Sequence, residues 1–331
     1  MKIIRVLMGT IGCICIVWTA VFGSLFIDKK HEVLSKVEYK GIITLWHIDT
    51  FEGGEGSRKQ FLLKTAREFE KDNQGILISV IDHTPTSVKE QINKGEFPDL
   101  ISFGNGVEVN GLKELAISNR FSVGKVNDKQ YSYPWCRGGY LLITKKDNKE
   151  SLDKKEIEKL IVSQSEYTLP LTALSLEGIK AKEIKSFSPL DAYVEFVSEK
   201  EGVLLGTQRD IVRLKNRGIE FKIRPLTQFC DLYQNIGLLS TNKEKISACN
   251  GFINLLLSTK TQSRLKEISM FSIDYSVNFE KEELNAMQGV DIINSVSCFL
   301  DVNTIKNIQE YSLMAIKGDT EALNKIKKLL I

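Results

Sequence analysis

Aromatic and polar side chains that could bind a sugar stand together at two points of the sequence. A sugar ring offers C–H groups to a flat aromatic face and pairs of hydroxyls to planar polar groups. Trp46 and Trp135 supply such faces at predicted strand ends, although packing in the core explains a lone tryptophan equally well. The candidate contacts in these two segments are Trp46, His47, Asp49, Glu52, Trp135 and Arg137.

Further polar candidates lie at the ends of other predicted elements. Asn105 stands between two glycines, where contact with a solute and simple turn formation are both reasonable. Arg209, at the head of a predicted helix, could bind a carboxylate, a phosphate or a hydroxyl pair, or form an interdomain salt bridge. The adjacent Gln208 could face the same cleft, and Tyr233 lies near a predicted crossing between domains.

No metal or cofactor site is predicted. His47, Asp49 and His83 could suggest a metal, but the two imidazoles stand on separate elements without an established ligand spacing. The glycines match neither the dinucleotide fingerprint nor the phosphate-loop motif. Four cysteines are scattered without a Cys-x-x-Cys pair, which leaves buried free thiols or a disulfide open. They are Cys136, Cys230, Cys249 and Cys298.

The carboxylates do not by themselves indicate an enzyme. Glu52 or Glu55 with Asp99 could form a glycosidase pair if their carboxyl groups lay about 5–9 Å apart, a distance that sequence does not supply. No nucleophile elbow and no Ser/His/Asp order is evident. We therefore expect a binding protein and keep a surface hydrolase as a distant alternative.

The first half of the sequence alternates between predicted strands and helices. Residues 42–48 form a β-rich run, residues 49–56 a glycine-containing loop, and Ser57 with Gln60 opens a helix that extends to about residue 72. Strands at 76–81 and 98–103 follow, with a helix between them. This order predicts an α/β fold whose ligands bind beyond the carboxyl ends of parallel strands.

The second half repeats the pattern after residue 130. We expect a strand at 141–143, helices near 153–162 and from Pro189 to about 198, and strands at 203–206 and 219–226. Thr207 and Asp210 form a capping-box-like helix start. At 331 residues the chain is too long for one ordinary core, so this segment predicts a second domain.

The N-terminus has the character of a membrane segment. Residues 6–27 carry no charge and exceed the roughly 20 residues that span a bilayer, so we expect a transmembrane anchor at 1–27 and a linker at 28–40. A cleaved signal peptide or a lipoprotein is the alternative. The net charge of +3 is far below that of a dedicated nucleic-acid binder, so nucleic acid is not an expected partner.

The order and spacing of several segments resemble the extracellular solute-binding proteins of ABC importers, in the broad family that includes binders of sugars and polyamines. The resemblance covers roughly residues 41–331. The segments that carry it are residues 42–47, 57–72, 97–104, 133–135, 140–147, 248–257 and 262–265.

The resemblance implies a two-lobed periplasmic-binding-protein-like fold of type II, with a ligand cleft between the lobes. We expect lobe 1 to comprise residues 41–135 and about 237–275, and lobe 2 residues 136–236 and about 276–331. Paired glycines can absorb dihedral change, which makes residues 136–139 a candidate hinge.

The function that the resemblance implies is solute capture at the extracytoplasmic face of the membrane and delivery to an ABC permease. We expect a monomer held by its N-terminal helix, with a carbohydrate as the preferred ligand. A polyamine or an anionic solute is the alternative ligand. A cell-surface sensor or interaction module is the alternative function.

Overall fold

The computed structural model describes residues 39–115, 123–148, 152–199, 201–273, 277–290, 292–295 and 299–330. The predicted anchor at 1–27, most of the predicted linker and Cys298 lie outside these residues. Within the described part of the chain, no helix combines the length and the apolar character that crossing a bilayer requires.

The first sheet combines strands that are far apart in the sequence. Its order is β2-β1-β3-β13-β6, in which β1, β2 and β3 are parallel and β13 is antiparallel to both β3 and β6. The carboxyl ends of three parallel strands therefore meet at one edge. The strands are β1 (Gly41–Ile48), β2 (Ile76–His83), β3 (Leu100–Phe103), β6 (Ser132–Arg137) and β13 (Tyr233–Leu238).

The second sheet repeats this plan with other strands. Its order is β11-β7-β10-β8-β9, in which β8, β9 and β10 are parallel and β7 is antiparallel to both β10 and β11. Two sheets of the same order confirm the predicted two-lobed α/β fold. The strands are β7 (Tyr140–Lys145), β8 (Glu156–Ser163), β9 (Lys180–Phe187), β10 (Val203–Thr207) and β11 (Phe221–Pro225).

Two small strand pairs lie outside the large sheets. The first is an antiparallel pair of two-residue strands and the second is a parallel pair. They are β4 (Lys125–Val126) with β5 (Lys129–Gln130), and β12 (Phe229–Cys230) with β14 (Asn294–Ser295).

Helices flank both sheets. Those that contact the first sheet or its helices are α1 (Arg58–Asp72), α2 (Pro85–Asn93), α6 (Lys243–Leu256) and the short α7 (Thr259–Gln262), which a 3-10 helix (Ser263–Ile268) follows. Those of the second lobe are α3 (Pro170–Leu176), α4 (Pro189–Ser198), α5 (Gln208–Asn216), α8 (Glu282–Gln288), α9 (Val302–Ile316) and α10 (Thr320–Leu330).

The predicted helix starts are found where the sequence placed them. Ser57 caps α1 by accepting a hydrogen bond from the Gln60 backbone N–H, and Ser188 caps α4 in the same way. Thr207 and Asp210 form a complete capping box at α5. These short side chains satisfy backbone donors that have no partner inside the helix, so they fix where each helix begins.

The predicted helix at 153–162 is wrong. The segment forms β8, which lies between β10 and β9 and pairs in parallel with both. Ile157, Leu160 and Ile161 have a spacing that also fits a helix face, but the β-branched residues and the two neighbouring strands favour the extended form. Strand β9, its partner, was not predicted.

The chain leaves the first sheet slightly later in the sequence than expected, and it returns slightly earlier. Cys136 and Arg137 are still part of β6 in the first sheet, so only residues 138–139 separate it from β7. On the return, β13 has joined the first sheet at Tyr233 rather than near residue 237.

Candidate functional site

The carboxyl ends of the parallel strands in the two sheets face each other across a narrow cleft. Phe51 and Glu52, in the loop after β1, line it from the first lobe. The second lobe contributes hydroxyl groups from the ends of β7, β8 and β10. These are Tyr140, Ser163, Ser165, Thr168 and Thr207.

The remaining space in the cleft is small. Its volume is ≈ 20 Å³, which is enough for about one water molecule. A site for a small organic ligand usually measures about 300–1,000 Å³. The two lobes therefore meet closely at this cavity, which has no room for a sugar.

An ion pair crosses the closed cleft. Arg213 of α5 donates from Nη2 to Glu52 Oε1 over 2.7 Å and from Nη1 to Oε2 over 2.9 Å. Arg209, one turn earlier on the same helix, donates to the backbone carbonyl of Gly54 over 2.8 Å. Beside them Lys281 Nζ lies 3.1 Å from Glu55 Oε2. The predicted residues Glu52 and Arg209 thus stand on opposite walls of one site.

The head of α5 holds this pair in place. Asp210 accepts a hydrogen bond from the Thr207 backbone N–H, and its Oδ1 lies 3.4 Å from Arg213 Nη1. Burial raises the pKa of the Asp210 carboxyl to about 6, against the lowering effects of the Thr207 hydrogen bond and the Arg213 charge. Arg213 therefore has an acidic partner on its own helix as well as Glu52 across the cleft.

The loop after β1 is fixed to its own lobe by Arg58. This buried guanidinium lies 2.7 Å from Asp49 Oδ1, donates to the Phe51 carbonyl and lies 4.1 Å above the Phe51 ring. Asp49 also lies 2.9 Å from His47 Nε2. Although burial raises the pKa of Asp49, the His47 hydrogen bond and the Arg58 charge bring it below the ordinary value. Asp49 and His47 thus support the loop.

Trp135 does not face the cleft, which corrects the predicted aromatic platform. Its side chain is 0% exposed and stacks on Phe61 of α1, with ring centroids 5.7 Å apart. Its indole N–H donates to the Ser102 hydroxyl over 3.1 Å. Both ring faces are enclosed because helices cover the sheet on that side.

Trp46 is a core residue on the other face of the first sheet. It packs with Ile48, Val88 and Phe103 in a buried apolar cluster, and its ring centroid lies 4.6 Å from that of His83. Successive residues of a strand point to opposite faces of the sheet, so Trp46 and its neighbour His47 pack on different sides of the first sheet. The second predicted platform is therefore wrong as well.

Three predicted contacts lie at the crossing between the lobes. Arg137 is buried and donates to the backbone carbonyls of Met287, Gln288 and Val290. Gln208 is fully buried and accepts from the Gly139 N–H over 3.1 Å. Tyr233 is 7% exposed. Arg137 and Gln208 thus link the crossing segments, and none of the three side chains is open to a solute.

Asn105 belongs to a buried polar node at the same crossing. Its Nδ2 donates to the Asp231 carbonyl over 3.2 Å, while its Oδ1 has no hydrogen-bond partner. Asp231 in turn accepts from the Leu169 N–H of the second lobe over 3.1 Å. Burial raises the pKa of Asp231 to about 7, although hydrogen bonds from Tyr140, Leu169 and Asn105 oppose the shift.

The described cysteines are buried thiols. Cys136, Cys230 and Cys249 are free, and burial raises the pKa of each. The residues that the structure describes contain no cluster of His, Cys, Asp and Glu side chains able to hold a metal ion. The polar side chains described at the cleft are hydroxyls, the carboxyl groups of Glu52, Glu55 and Asp210, and the cationic groups of Arg209, Arg213 and Lys281.

Sequence reasoning missed most of the residues that line the cleft. Arg213 could have been found, because it follows Arg209 by four residues and so shares its helix face. Ser163, Ser165 and Thr168 were hidden by the error at β8. Since ligands bind at the carboxyl ends of parallel strands, a correct strand there would have pointed to the loop that follows it.

We expect Gly54→Ala to disturb the packing of the loop at residues 49–56 and so to lower the free energy of unfolding. A methyl group at Gly54 would overlap the backbone carbonyl of Ser269, whereas the nearest atoms to one at Gly53 lie 4.0 Å away. Overpacking of this kind costs about 1–3 kcal/mol. Urea denaturation should show that loss for Gly54→Ala and little change for Gly53→Ala. Equal midpoints for the two variants would contradict the contact.

Two lobes of this sheet order, joined by short crossings around a polar cleft, define a two-lobed α/β fold. Solved structures with this fold match over most of the chain. The sugar-binding protein MalE from Xanthomonas citri shares 12% identity at a TM-score of 0.60, covering 88% of this chain and 96% of that one. The apo form of RafE from Streptococcus pneumoniae shares 13% at 0.58, covering 88% and 100%.

A third match contains its ligand. The maltose/maltodextrin-binding domain of MalE from Bdellovibrio bacteriovorus, bound to maltotriose, shares 12% identity at a TM-score of 0.55, covering 88% of this chain and 98% of that one. No protein-family model matches the sequence, and no curated protein matches it either. The likeness is one of fold.

Proposed function

We propose that the chain is an extracytoplasmic receptor that captures a small polar solute between its lobes and delivers it to the permease of an ABC importer. The observation that carries the proposal is the cleft itself, where the carboxyl edges of two like sheets face each other and side-chain hydroxyls line one wall. Binding is the whole of this function, and no bond of the solute is made or broken.

A carbohydrate is the ligand class that this cleft fits best. Hydroxyl side chains, the Glu52 carboxylate and the Arg213 guanidinium can all exchange hydrogen bonds with sugar hydroxyls. Phe51 and Tyr140 take the place of the two tryptophans as aromatic groups at the cavity. The solved structures named above include sugar binders, which supports the same class.

Binding in this site requires the lobes to separate. The cavity of ≈ 20 Å³ must widen before a sugar can enter, and residues 138–139 with the return strand are the connections that could bend. Closure on the solute would then bring both walls into contact with it.

The proposed location of the protein, at the outer face of the membrane, rests on its N-terminal segment. Residues 1–27 would hold a monomer at the outer face of the membrane, with residues 28–40 as the tether. N-terminal sequencing of the protein from the membrane fraction tests this part of the proposal. A mature chain that begins at Ser24 or Cys13 would replace the helix anchor by a cleaved signal or a lipid.

We expect a cognate sugar to raise the melting temperature of the full chain. A ligand that binds only the folded state stabilises it by about 2.7 kcal/mol at roughly 100 times its Kd. Differential scanning fluorimetry should be run against neutral oligosaccharides, polyamines and carboxylated sugars. Stabilisation by a polyamine or only by an acidic sugar would overturn the assignment to neutral carbohydrate.

Two phenylalanine variants make this test specific. Phe51→Ala removes an aromatic group from the cavity, and Phe97→Ala removes one that is 54% exposed elsewhere on the surface. The ligand-induced shift should shrink for Phe51→Ala and stay unchanged for Phe97→Ala. A shift that neither variant alters would place the ligand outside the cleft.

A further inference from the structure

The loop at residues 49–56 makes the contacts in the cleft that a solute would be expected to make. We propose that this loop is a latch that holds the two lobes closed when no solute is bound. The Glu52 carboxylate occupies Arg213 and the Gly54 carbonyl occupies Arg209, both on α5 of the opposite lobe. The loop thus supplies hydrogen-bond acceptors to Arg209 and Arg213, two donors that a solute could otherwise use.

The geometry of the Glu52–Arg213 pair makes it effective as a latch. Two parallel N–H···O bonds of 2.7 and 2.9 Å join a planar guanidinium to a carboxylate, the strongest common arrangement for such a pair. The side chains are only 15% and 30% exposed, for Arg213 and Glu52 respectively, so salt screens them less than a surface pair.

The loop cannot move with the second lobe, because its own lobe holds it. Arg58 binds both Asp49 and the Phe51 carbonyl, and the Glu55 N–H donates to the Ile268 carbonyl over 2.8 Å. Gly54 lies directly against the backbone of Ser269. Separation of the lobes must therefore break the bonds to α5.

Two further contacts add to the closed state. Lys281, ahead of α8, reaches Glu55, and the Ser165 hydroxyl lies 3.5 Å from the Thr50 carbonyl. Four residues of one loop thus meet the second lobe, through both side chains and backbone. A solute has to compete with these contacts, so its apparent affinity falls with the fraction of molecules that are closed and empty.

The latch can be tested without any solute, which keeps its failure distinct from failure of the proposed receptor function. Nitroxide labels on Ser79→Cys in β2 and Glu183→Cys in β9, both exposed, report the distance between the lobes in the full chain. Pulsed electron paramagnetic resonance then measures the closed and open populations. The chain without the introduced cysteines gives the background from native thiols.

We expect the parent chain to show mainly the short, closed distance. Glu52→Gln keeps the shape of the side chain but removes its charge, and Arg209→Gln removes the bond to Gly54. Each should lower the ratio of closed to open molecules by about tenfold, the effect of losing a charged hydrogen bond. Glu220→Gln, which removes an exposed ion pair to Lys146 within the second lobe, should leave the ratio unchanged.

A second measurement protects the test against a variant that fails to fold. Raising the salt concentration with the unsubstituted, labelled chain should shift molecules from the short to the long distance, because the pair is partly exposed and salt weakens it, to a smaller extent than a surface pair. A parent chain that is already open would overturn the latch. So would a Glu52→Gln chain with the same distances as Glu220→Gln.

Discussion

Replacing Trp135 by alanine should lower the free energy of unfolding by about 3–5 kcal/mol, the usual cost of removing a large buried aromatic side chain. The indole is 0% exposed, stacks on Phe61 and donates a hydrogen bond to Ser102. Truncation leaves a cavity that the sheet and α1 cannot fill. Urea denaturation measures the effect as a fall in the midpoint at unchanged slope.

Two controls separate packing from ligand contact. Trp135→Phe keeps a ring against Phe61 and loses the bond to Ser102, whose hydroxyl still has His47 and Gln234 within 3.1 Å, so its cost should be smaller. Phe97→Ala on the surface should change stability by less than about 0.5 kcal/mol. A stable Trp135→Ala chain that had lost only sugar binding would restore the aromatic platform.

The tryptophan error shows what a single strand can and cannot reveal. Trp46 and Trp135 were correctly placed near strand ends, but the sequence does not say which faces of a strand are covered. Strands β1 and β6 are buried for most or all of their length, so apolar and polar residues do not alternate in them. That pattern is typical of sheets with helices on both faces.

Two of the polar candidates, Glu52 and Arg209, lie at the contact between the lobes, since loops and helix starts at the carboxyl ends of parallel strands face it. Their partners could not be predicted, since Arg213 and the Gly54 carbonyl become neighbours only when two lobes meet. The alternative for Arg209 was an interdomain salt bridge, whereas the structure gives it a hydrogen bond to the backbone carbonyl of Gly54 in the opposite lobe.

The fold was the most predictable part, for reasons that are local. Ser57, Ser188 and Thr207 mark helix starts through hydrogen bonds within three residues, so no distant contact is needed to recognise them. The segment of strand β8 was predicted as a helix because the spacing of its apolar residues also fits a helix. Pairing with β9 and β10 decided the outcome, and pairing is a long-range property.

Asp231→Asn should remove a pH dependence of stability between about pH 4 and 7. The carboxyl is buried at the crossing between the lobes, and its pKa is raised from 3.8 to about 7, chiefly by burial. Between these values the folded chain holds a proton that the unfolded chain has lost. The contribution of this group is therefore complete below pH 4 and disappears as the pH rises through 7, at up to about 1.4 kcal/mol per pH unit.

Asparagine keeps an oxygen that can accept the Leu169 N–H but carries no charge to bury. Near pH 4 the variant and the parent should have similar stability, and by pH 7 the variant should be the more stable of the two. Urea titrations at several pH values give the difference between their unfolding free energies. Asp210 also has a raised pKa, which acts in the same direction, but its contribution is present in both chains and cancels in this difference.

Asp301→Asn gives a control of opposite sign. Hydrogen bonds from Thr304 and Asn303 at the start of α9 lower the pKa of Asp301, so its contribution is present above its ordinary pKa and is lost as the pH falls. That variant should therefore be the less stable one at neutral pH and approach the parent in acid. A difference in unfolding free energy between Asp231→Asn and the parent that does not change with pH would contradict this prediction. It would mean that the Asp231 carboxyl, beside Asn105 and Leu169, is ionised in the folded chain.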